Sequence, residues 1–149
     1  MAPRPLFFYG PLRDPDLLCA VLGRRPAPGQ LAEAVAPGFG LVHDEDAGPA
    51  LVRAPGARTA GLLLLGVTPF ELDLLDAFEG PFYRRAPVPV IVETELHEIE
   101  TYLAVRPPPS GAPEWSFEAW RRTGKPAALA AHGAAAAALR ARLLAARPN

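Results

Sequence analysis

The amino-acid sequence predicts an α+β fold with about six strands. Short apolar or alternating runs, separated by turns rich in Gly and Pro, fill the chain as far as residue 106 and are typical of strands. Two segments between these runs carry the residues that start and stop helices, and the sequence after residue 112 has a helical, Ala-rich pattern. We therefore expect the 149 residues to form one domain, with a β-rich body at 1–106 and a C-terminal helical segment at 112–149.

The first element is an apolar strand that leads through a tight turn into a helix. Residues 6–9 are apolar or aromatic and predict a buried strand, which a Gly-Pro dipeptide then ends. Asp14 is a typical helix N-cap and Gly23 a typical stop, so a helix is expected at 14–22. A strand that runs through a Gly turn into a helix start tends to present backbone N–H groups to an anion.

Six further runs predict strands in the body, at 30–35, 39–43, 50–53, 59–67, 85–92 and 98–105. The run at 59–67 is almost continuously apolar, which predicts a central strand buried on both faces. Pro-Gly pairs at 37–38 and 55–56 are expected to break the chain between strands. The two prolines of the 85–92 run indicate an edge strand or a strand that carries a bulge, and the last two runs are expected to pair as a hairpin.

A second helix is expected at 69–79. Thr68 is a suitable cap, a proline follows it at the first helical position, and Glu71 completes a capping box with Thr68. Gly80 and the proline after it end the helix, so Glu79 is its last residue. Two more helices are expected in the C-terminal segment, at 117–122 and at 126–147, with a glycine at position 133 as a point of interruption.

Glu79 supports two interpretations. The negative end of a helix dipole disfavours a carboxylate by about 0.3–1 kcal/mol, so its position is unusual. One interpretation is a solvated surface side chain, or an ion-pair partner for Arg84 or Arg85. The other is a general base, because the helix end and the neighbouring rings of Phe78 and Phe82 would raise its pKa towards neutrality. The sequence leaves both interpretations open.

Charge and cysteine content exclude several classes of protein. Fifteen Lys and Arg against sixteen Asp and Glu give a net charge of −1, which lacks the basic field that attracts nucleic acid or an anionic membrane. Cys19 is the single cysteine, so it forms no internal disulfide, which fits a reducing cytoplasm. No secretory leader and no membrane-spanning apolar stretch is evident. We expect a cytoplasmic protein that binds neither nucleic acid nor membrane; its oligomeric state has no signal in the sequence.

The sequence lacks the residue patterns of metal sites and of nucleotide-binding loops. His43, His97 and His132 are far apart without ligand-like spacing, so no metal site is expected, and each is interpreted as a surface or capping residue. Neither a G-x-x-x-x-G-K-[ST] loop nor a G-x-G-x-x-G turn is present, so nucleotide phosphate chemistry is not expected. The candidate site residues that remain are Tyr9, Gly10, Pro11, Leu12, Glu79 and Tyr83.

Two motifs carry a family resemblance. Residues 8–13, Phe-Tyr-Gly-Pro-Leu-Arg, resemble the Y-G-[ST]-L opening motif of the γ-glutamylcyclotransferase-like family, also called AIG2-like. Residues 75–80, Leu-Asp-Ala-Phe-Glu-Gly, with Tyr-Arg-Arg at 83–85, resemble that family's L-D-x-x-E-G and Y-x-R motifs, whose glutamate is catalytic. The resemblance covers most of the first 105 residues and implies a small mixed β-barrel with flanking helices.

The resemblance also implies a reaction. In a γ-glutamyl compound the free α-amine attacks its own side-chain carbonyl, which closes 5-oxoproline and expels the attached amine or peptide. Backbone N–H groups of the turn from Tyr9 to Leu12 would hold the glutamyl α-carboxylate, and Glu79 would move the proton. Tyr9 or Tyr83 would place a hydroxyl near the developing oxyanion. No cofactor is expected, and the donor is left open among γ-glutamyl amines, a glutathione-like peptide and a γ-glutamyl-protected metabolite.

Pro11 departs from the family pattern, which has Ser or Thr at this position. Proline has neither a side-chain hydroxyl nor a backbone N–H, so one of the hydrogen bonds that Ser or Thr offers to a ligand is lost. The departure favours an alternative function, a non-catalytic module that binds a small ligand on the same scaffold.

Overall fold

The computed structural model describes residues 4–147 and contains, over that range, a closed five-stranded β-barrel. Its strands are β1 (Arg4–Phe8), β2 (Leu31–Asp44), β3 (Gly48–Val67), β4 (Tyr83–Val92) and β5 (Glu95–Ala104). Around the barrel they follow the order β1-β3-β2-β4-β5, and all pairs are antiparallel except the parallel pair β1 and β5. The α+β fold and the mixed barrel are confirmed, with five strands instead of about six.

Four α-helices flank the barrel in the described part of the chain: α1 (Pro15–Leu22), α2 (Pro69–Glu79), α3 (Phe117–Thr123) and α4 (Lys125–Ala146). The caps form as the sequence predicts. The Asp14 carboxylate accepts two backbone N–H groups of α1, and Thr68 and Glu71 make the reciprocal bonds of a capping box. α4 continues through Gly133 without interruption. Over residues 4–147 no helix combines the length and the apolar content needed to cross a membrane.

The strand count is lower because two long strands run through their Pro-Gly pairs. The prediction of separate strands is wrong here: β2 begins one residue later than predicted, at Leu31, and joins 31–35 with 39–43, and β3 joins 50–53 with 59–67. The ladder between them continues on both sides of a register shift, with Pro37 opposite Arg58 and Phe39 opposite Arg53. Gly56, whose φ is +86°, lets the longer side of this bulge turn without ending the pairing.

β3 separates two hydrophobic cores. Leu63 packs with Phe7 in a cluster whose members come from the strands and their ends, which is the barrel interior. Leu64 faces the other way and packs with Leu6 in a cluster that includes α1 and α2. The prediction that this strand is central and buried on both faces is confirmed, because successive side chains of a strand point to opposite faces.

α4 rests on α1 and α2 and closes the helical side of the molecule. The Arg140 guanidinium donates to the carbonyl oxygens of Ala20 and Val21 in the last turn of α1, at 3.1 and 2.6 Å. At the other end of α1, the Lys125 ammonium lies 3.0 Å from the fully buried carboxylate of Asp14. Polar contacts at both ends of α1 therefore fix the position of α4 over the turn that follows β1.

Candidate active site

A cavity of about 410 Å³ opens where the end of β1, the end of α2, the start of β4 and one face of α4 meet. Its volume is typical of pockets that hold small molecules. The residues around it include all six candidates from the sequence: Tyr9, Gly10, Pro11, Leu12, Glu79 and Tyr83. The fold thus brings together two motifs that are far apart along the chain.

The turn after β1 offers backbone donors at this cavity. It forms one turn of 3-10 helix at Pro11–Arg13 and leads directly into α1. The carbonyl groups of Gly10 and Pro11 accept N–H groups further along the turn, each at 3.0 Å. Over residues 4–147, the N–H groups of Gly10 and Leu12 have no acceptor. Free N–H groups beside a helix start are favourable to a bound carboxylate.

Glu79 is the last residue of α2 and is half-buried at the wall of the cavity. The protein packed around it removes much of the water that would solvate its charge, and this burial raises the pKa of the carboxyl from 4.5 to about 7. In the described part of the chain its carboxylate has no hydrogen-bond or ion-pair partner. The interpretation of Glu79 as a partner for Arg85 is therefore wrong, because Arg85 pairs with other acids.

Those acids are Asp76 and Glu100, which hold Arg85 beside the cavity. The Arg85 guanidinium donates to both carboxylate oxygens of Asp76, at 3.0 and 3.1 Å, and to Glu100 at 2.7 Å. The hydroxyl of Tyr102 donates to Asp76 at 2.6 Å. Although burial opposes it, hydrogen bonds from Arg85 and Tyr102 hold the pKa of Asp76 below its usual value. This network fixes the end of α2 and leaves Glu79 as the unpaired acid.

The hydroxyls of Tyr9 and Tyr83 are engaged with the backbone. Tyr9 donates to the carbonyl oxygen of Tyr102, which ties β1 to β5. The Tyr83 hydroxyl lies 2.9 and 2.5 Å from the carbonyl oxygens of Ala47 and Pro49, and its single hydrogen is donated to this pair of acceptors. Burial raises the pKa of both phenols, so they stay neutral. Their hydrogens are therefore already in use, and donation to an oxyanion requires one of these bonds to break, whereas their oxygens remain acceptors.

Several cavity residues have no role in the sequence prediction: Thr101, Tyr102, His132, Ala135 and Leu139. His132 is exposed, as the sequence interpretation expects, and it also lies at the rim of the cavity. Its ring meets Phe78 edge-on, with centroids 5.5 Å apart and planes at 76°. The signal in the sequence is the spacing of 132, 135 and 139, which places these positions on one face of a helix. No cluster of three or more metal-ligating side chains occurs within the described residues.

The fold is a mixed β-barrel with a cavity at one end, and at that cavity Glu79, unpaired over residues 4–147, lies beside a turn that carries free backbone donors. The chain belongs to the family "Gamma-glutamyl cyclotransferase, AIG2-like", whose model matches residues 6–122. All six candidate residues fall inside this match, and α4 begins after it.

Relatives and solved structures agree with the family. AIG2-like protein A from Arabidopsis thaliana is 34% identical over 129 residues, which cover 80% of this chain and 73% of that protein. A solution structure of an Arabidopsis thaliana protein has a TM-score of 0.66 at 31% identity and covers 88% of this chain and 89% of its own. A structure named gamma-glutamyl cyclotransferase has a TM-score of 0.59 at 15% identity, over 99% of this chain and 89% of its own, which supports the shared fold.

Proposed function

We propose that this protein is a γ-glutamyl cyclotransferase-type enzyme that releases 5-oxoproline from a γ-glutamyl amine or peptide. One observation carries the proposal: Glu79, unpaired over residues 4–147 and with its pKa raised to about 7, lines the same cavity as the free N–H groups of Gly10 and Leu12. A base that titrates near neutrality beside an anion-binding turn is what cyclisation of a γ-glutamyl group requires. The family match and the neighbour named gamma-glutamyl cyclotransferase support the same activity.

The reaction is an intramolecular aminolysis. The α-amino nitrogen of the glutamyl group attacks its own γ-carbonyl carbon, a new C–N bond closes the five-membered ring, and the C–N bond to the attached amine breaks. The α-ammonium nitrogen loses two protons on the way to the ring N–H, and the departing nitrogen gains both, so the products are 5-oxoproline and the amine in its ammonium form. All atoms of the products come from the donor, so no cofactor takes part. Correct folding of the donor supplies up to roughly 7–11 kcal/mol of the barrier reduction.

Glu79 is the proton carrier in this proposal. Its ionised form accepts a proton from the α-ammonium group, and its protonated form then donates to the departing nitrogen. A carboxyl group with a pKa of about 7 is suited to both steps near neutral pH. General acid–base catalysis of this kind is worth about 10²- to 10⁴-fold in rate.

The turn after β1 binds the α-carboxylate of the donor. The N–H groups of Gly10 and Leu12 are the donors, and the start of α1 adds the positive end of its dipole. Tyr9 and Tyr83 shape the cavity through their bonds to the backbone, and their hydroxyl oxygens remain acceptors for the donor's ammonium group. We further propose a small-molecule donor and no nucleic-acid partner, because the balanced charge gives no basic field. The single cysteine supports a cytoplasmic location.

Pro11 favours a second candidate, a module that binds a γ-glutamyl-like ligand without turnover. Pro11 lines the cavity and contributes no N–H there, so the turn has one backbone donor fewer than a Ser or Thr would give it. The two candidates differ in product formation, since only the enzyme converts its ligand.

The deciding experiment incubates the protein with a panel of γ-glutamyl amines and peptides and measures 5-oxoproline. Release that depends on the protein supports the enzyme. Binding of a panel member by calorimetry without any 5-oxoproline supports the module, and the absence of both binding and release refutes the two candidates together.

A further inference from the structure

The junction of α3 and α4 holds the two residues that directly follow the turn after β1. The Arg13 guanidinium lies over the ring of Phe117, 4.3 Å from its centroid, and the buried carboxylate of Asp14 faces cations of the same junction. Neither Arg13 nor Asp14 lines the cavity, whereas Gly10 and Leu12, just before them, do. These contacts therefore reach the cavity only through the turn.

Asp14 joins the turn to α1. Its backbone N–H donates to the carbonyl oxygen of Pro11 at 3.0 Å and closes the turn. Its Oδ1 atom accepts the N–H groups of Asp16 and Leu17, at 2.9 and 3.2 Å. A carboxylate without exposed surface needs an opposite charge close by, and its Oδ2 atom lies 3.0 Å from the Lys125 ammonium. Loss of this cation would leave a buried charge that is relieved only if Asp14 moves, and the bond that closes the turn would move with it.

Of the two cations that face Asp14, Lys125 is the closer and the better shielded from water. Its ammonium lies 3.0 Å from Oδ2 and its side chain is 20% exposed, whereas the Arg121 guanidinium is 3.5 Å away and its side chain is 47% exposed. Each cation also faces an exposed acid, Asp16 for Lys125 and Glu118 for Arg121. Water screens the longer and more exposed contact more strongly, so Lys125 supplies most of the compensating charge.

We propose that Lys125 is a positioning residue: by way of Asp14 it holds the turn after β1 in the form that presents the N–H groups of Gly10 and Leu12 to the cavity. The inference rests on the proposed function, in which this turn binds the α-carboxylate of the donor. The donor binds only to molecules whose turn has this form. A fall in their fraction therefore raises KM in proportion and leaves kcat at saturation unchanged.

Two substitutions of Lys125 test this role through the kinetics of 5-oxoproline release. Lys125→Met removes the charge, keeps much of the length of the side chain and suits a helix. We expect KM for γ-glutamyl donors to rise about tenfold while kcat stays close to that of the wild type. Lys125→Arg returns a cation and should recover most of the affinity. An unchanged KM in Lys125→Met, a loss confined to kcat, or no recovery in Lys125→Arg would overturn the inference.

Arg140→Met is the matched control for a general loosening of α4. Arg140 anchors the same helix to the other end of α1, through the carbonyl oxygens of Ala20 and Val21. This variant should lose stability and keep the KM of the wild type, because the contact it removes is not with the turn. An equal rise of KM in Arg140→Met and Lys125→Met would show that the docking of α4, and not the pair with Asp14, is what the donor needs.

A second control removes the buried charge itself. Asparagine caps a helix about as well as aspartate and needs no cation. In the Asp14→Asn background, the added Lys125→Met substitution should therefore raise KM little further, so the two substitutions should be strongly non-additive. A second, full tenfold rise in this background would contradict a route through Asp14.

Failure of the proposed function and failure of this inference give different results. If the wild-type protein neither binds nor converts γ-glutamyl compounds, the proposed function fails. Amide hydrogen exchange of the unliganded protein then decides the inference, because the amides of Arg13 and Asp14 make the bonds that close the turn. Lys125→Met should speed their exchange about tenfold, as for KM, and should leave the Gly23 amide at the other end of α1 unchanged. Unchanged exchange at the turn, or equal acceleration at both ends of α1, would show that Lys125 does not position the turn.

Discussion

Asp76 and Glu79 lie one turn apart on α2, and of the two only Asp76 has a cationic partner within the described residues. Arg85 and Tyr102 hold the pKa of Asp76 low against the effect of burial, whereas burial alone raises the pKa of Glu79 to about 7. Asp76 is therefore ionised at neutral pH, whereas Glu79 titrates close to it. Neighbouring acids whose pKa values are shifted in opposite directions are typical of sites in which one acid holds the structure and the other moves a proton.

Glu79→Gln should lower 5-oxoproline release by about 10²- to 10⁴-fold, because glutamine keeps the shape of the side chain and cannot carry the proton. The melting temperature at pH 8 should stay equal or rise, since the substitution removes a charge that burial disfavours. Glu98→Gln is the matched control, as Glu98 is exposed on β5 and does not line the cavity. Full activity in Glu79→Gln would remove Glu79 from the mechanism.

The raised pKa of Glu79 should affect the pH dependence of both the activity and the stability. Activity needs the ionised carboxyl, so kcat/KM should rise with pH through an apparent pKa of about 7. The folded pKa lies above the usual value of 4.5, so the stability that protonated Glu79 contributes is complete below about 4.5 and is lost as pH rises through 7. The melting temperature of the wild type minus that of Glu79→Gln should therefore fall between pH 4.5 and 7. A constant difference over this range would contradict the raised pKa.

Local sequence signals were sufficient wherever the deciding contacts are between near neighbours. The caps at Asp14 and Thr68 use side chains and backbone groups within three residues of each other, so their residue types alone predict where α1 and α2 begin. The same holds for the position of Glu79 at the end of α2. Whether Glu79 has an ion-pair partner depends on which acids Arg85 binds. Arg85 binds Asp76 and Glu100, and the sequence alone does not distinguish these acids from Glu79.

Long-range contacts explain what the sequence did not predict. A Pro-Gly pair normally ends a strand, but here the register shift near Pro37 lets β2 and β3 stay paired along their length, and no local pattern encodes that pairing. His132 lacks a neighbour in sequence that would mark it as part of a site. Its contact is Phe78, which reaches it only after α4 packs on α2.

Glu71 should be the acid whose loss costs most stability on α2. Its side chain is 7% exposed, it accepts from the Arg24 guanidinium at 2.5 and 3.0 Å, and it completes the capping box with Thr68. Glu71→Ala should lower the free energy of unfolding by about 1–3 kcal/mol, and Glu71→Gln by less, because glutamine keeps the cap while losing the charge. Chemical denaturation measures both, and a Glu71→Ala variant as stable as the wild type would contradict the assignment.

The lowered pKa of Glu71 should make part of the protein's stability depend on pH in the acid range. Although burial opposes it, hydrogen bonds from Arg24 and Thr68 lower the pKa of Glu71. A lowered folded pKa gives stability that is present above the usual value of 4.5 and is lost as pH falls through the folded pKa. The stability difference between the wild type and Glu71→Gln should therefore shrink below about pH 4.5, and a difference that grows on acidification would contradict the sign.

Pro11 is where the chain departs from its family's motif, and its replacement should increase activity. Pro11→Ser and Pro11→Thr restore an N–H and a hydroxyl at the cavity, and a hydrogen bond to a charged group is worth about 1.5–3 kcal/mol, or roughly 10- to 150-fold in kcat/KM. The stiffness that proline gives the turn offsets part of this gain. Pro15→Ser is the matched control, because Pro15 starts α1 and does not line the cavity. If both Pro11 variants leave kcat/KM for simple γ-glutamyl donors unchanged or lower it, the proline serves the ligand directly, and the binding module or a donor with its own compensating contacts is the better explanation.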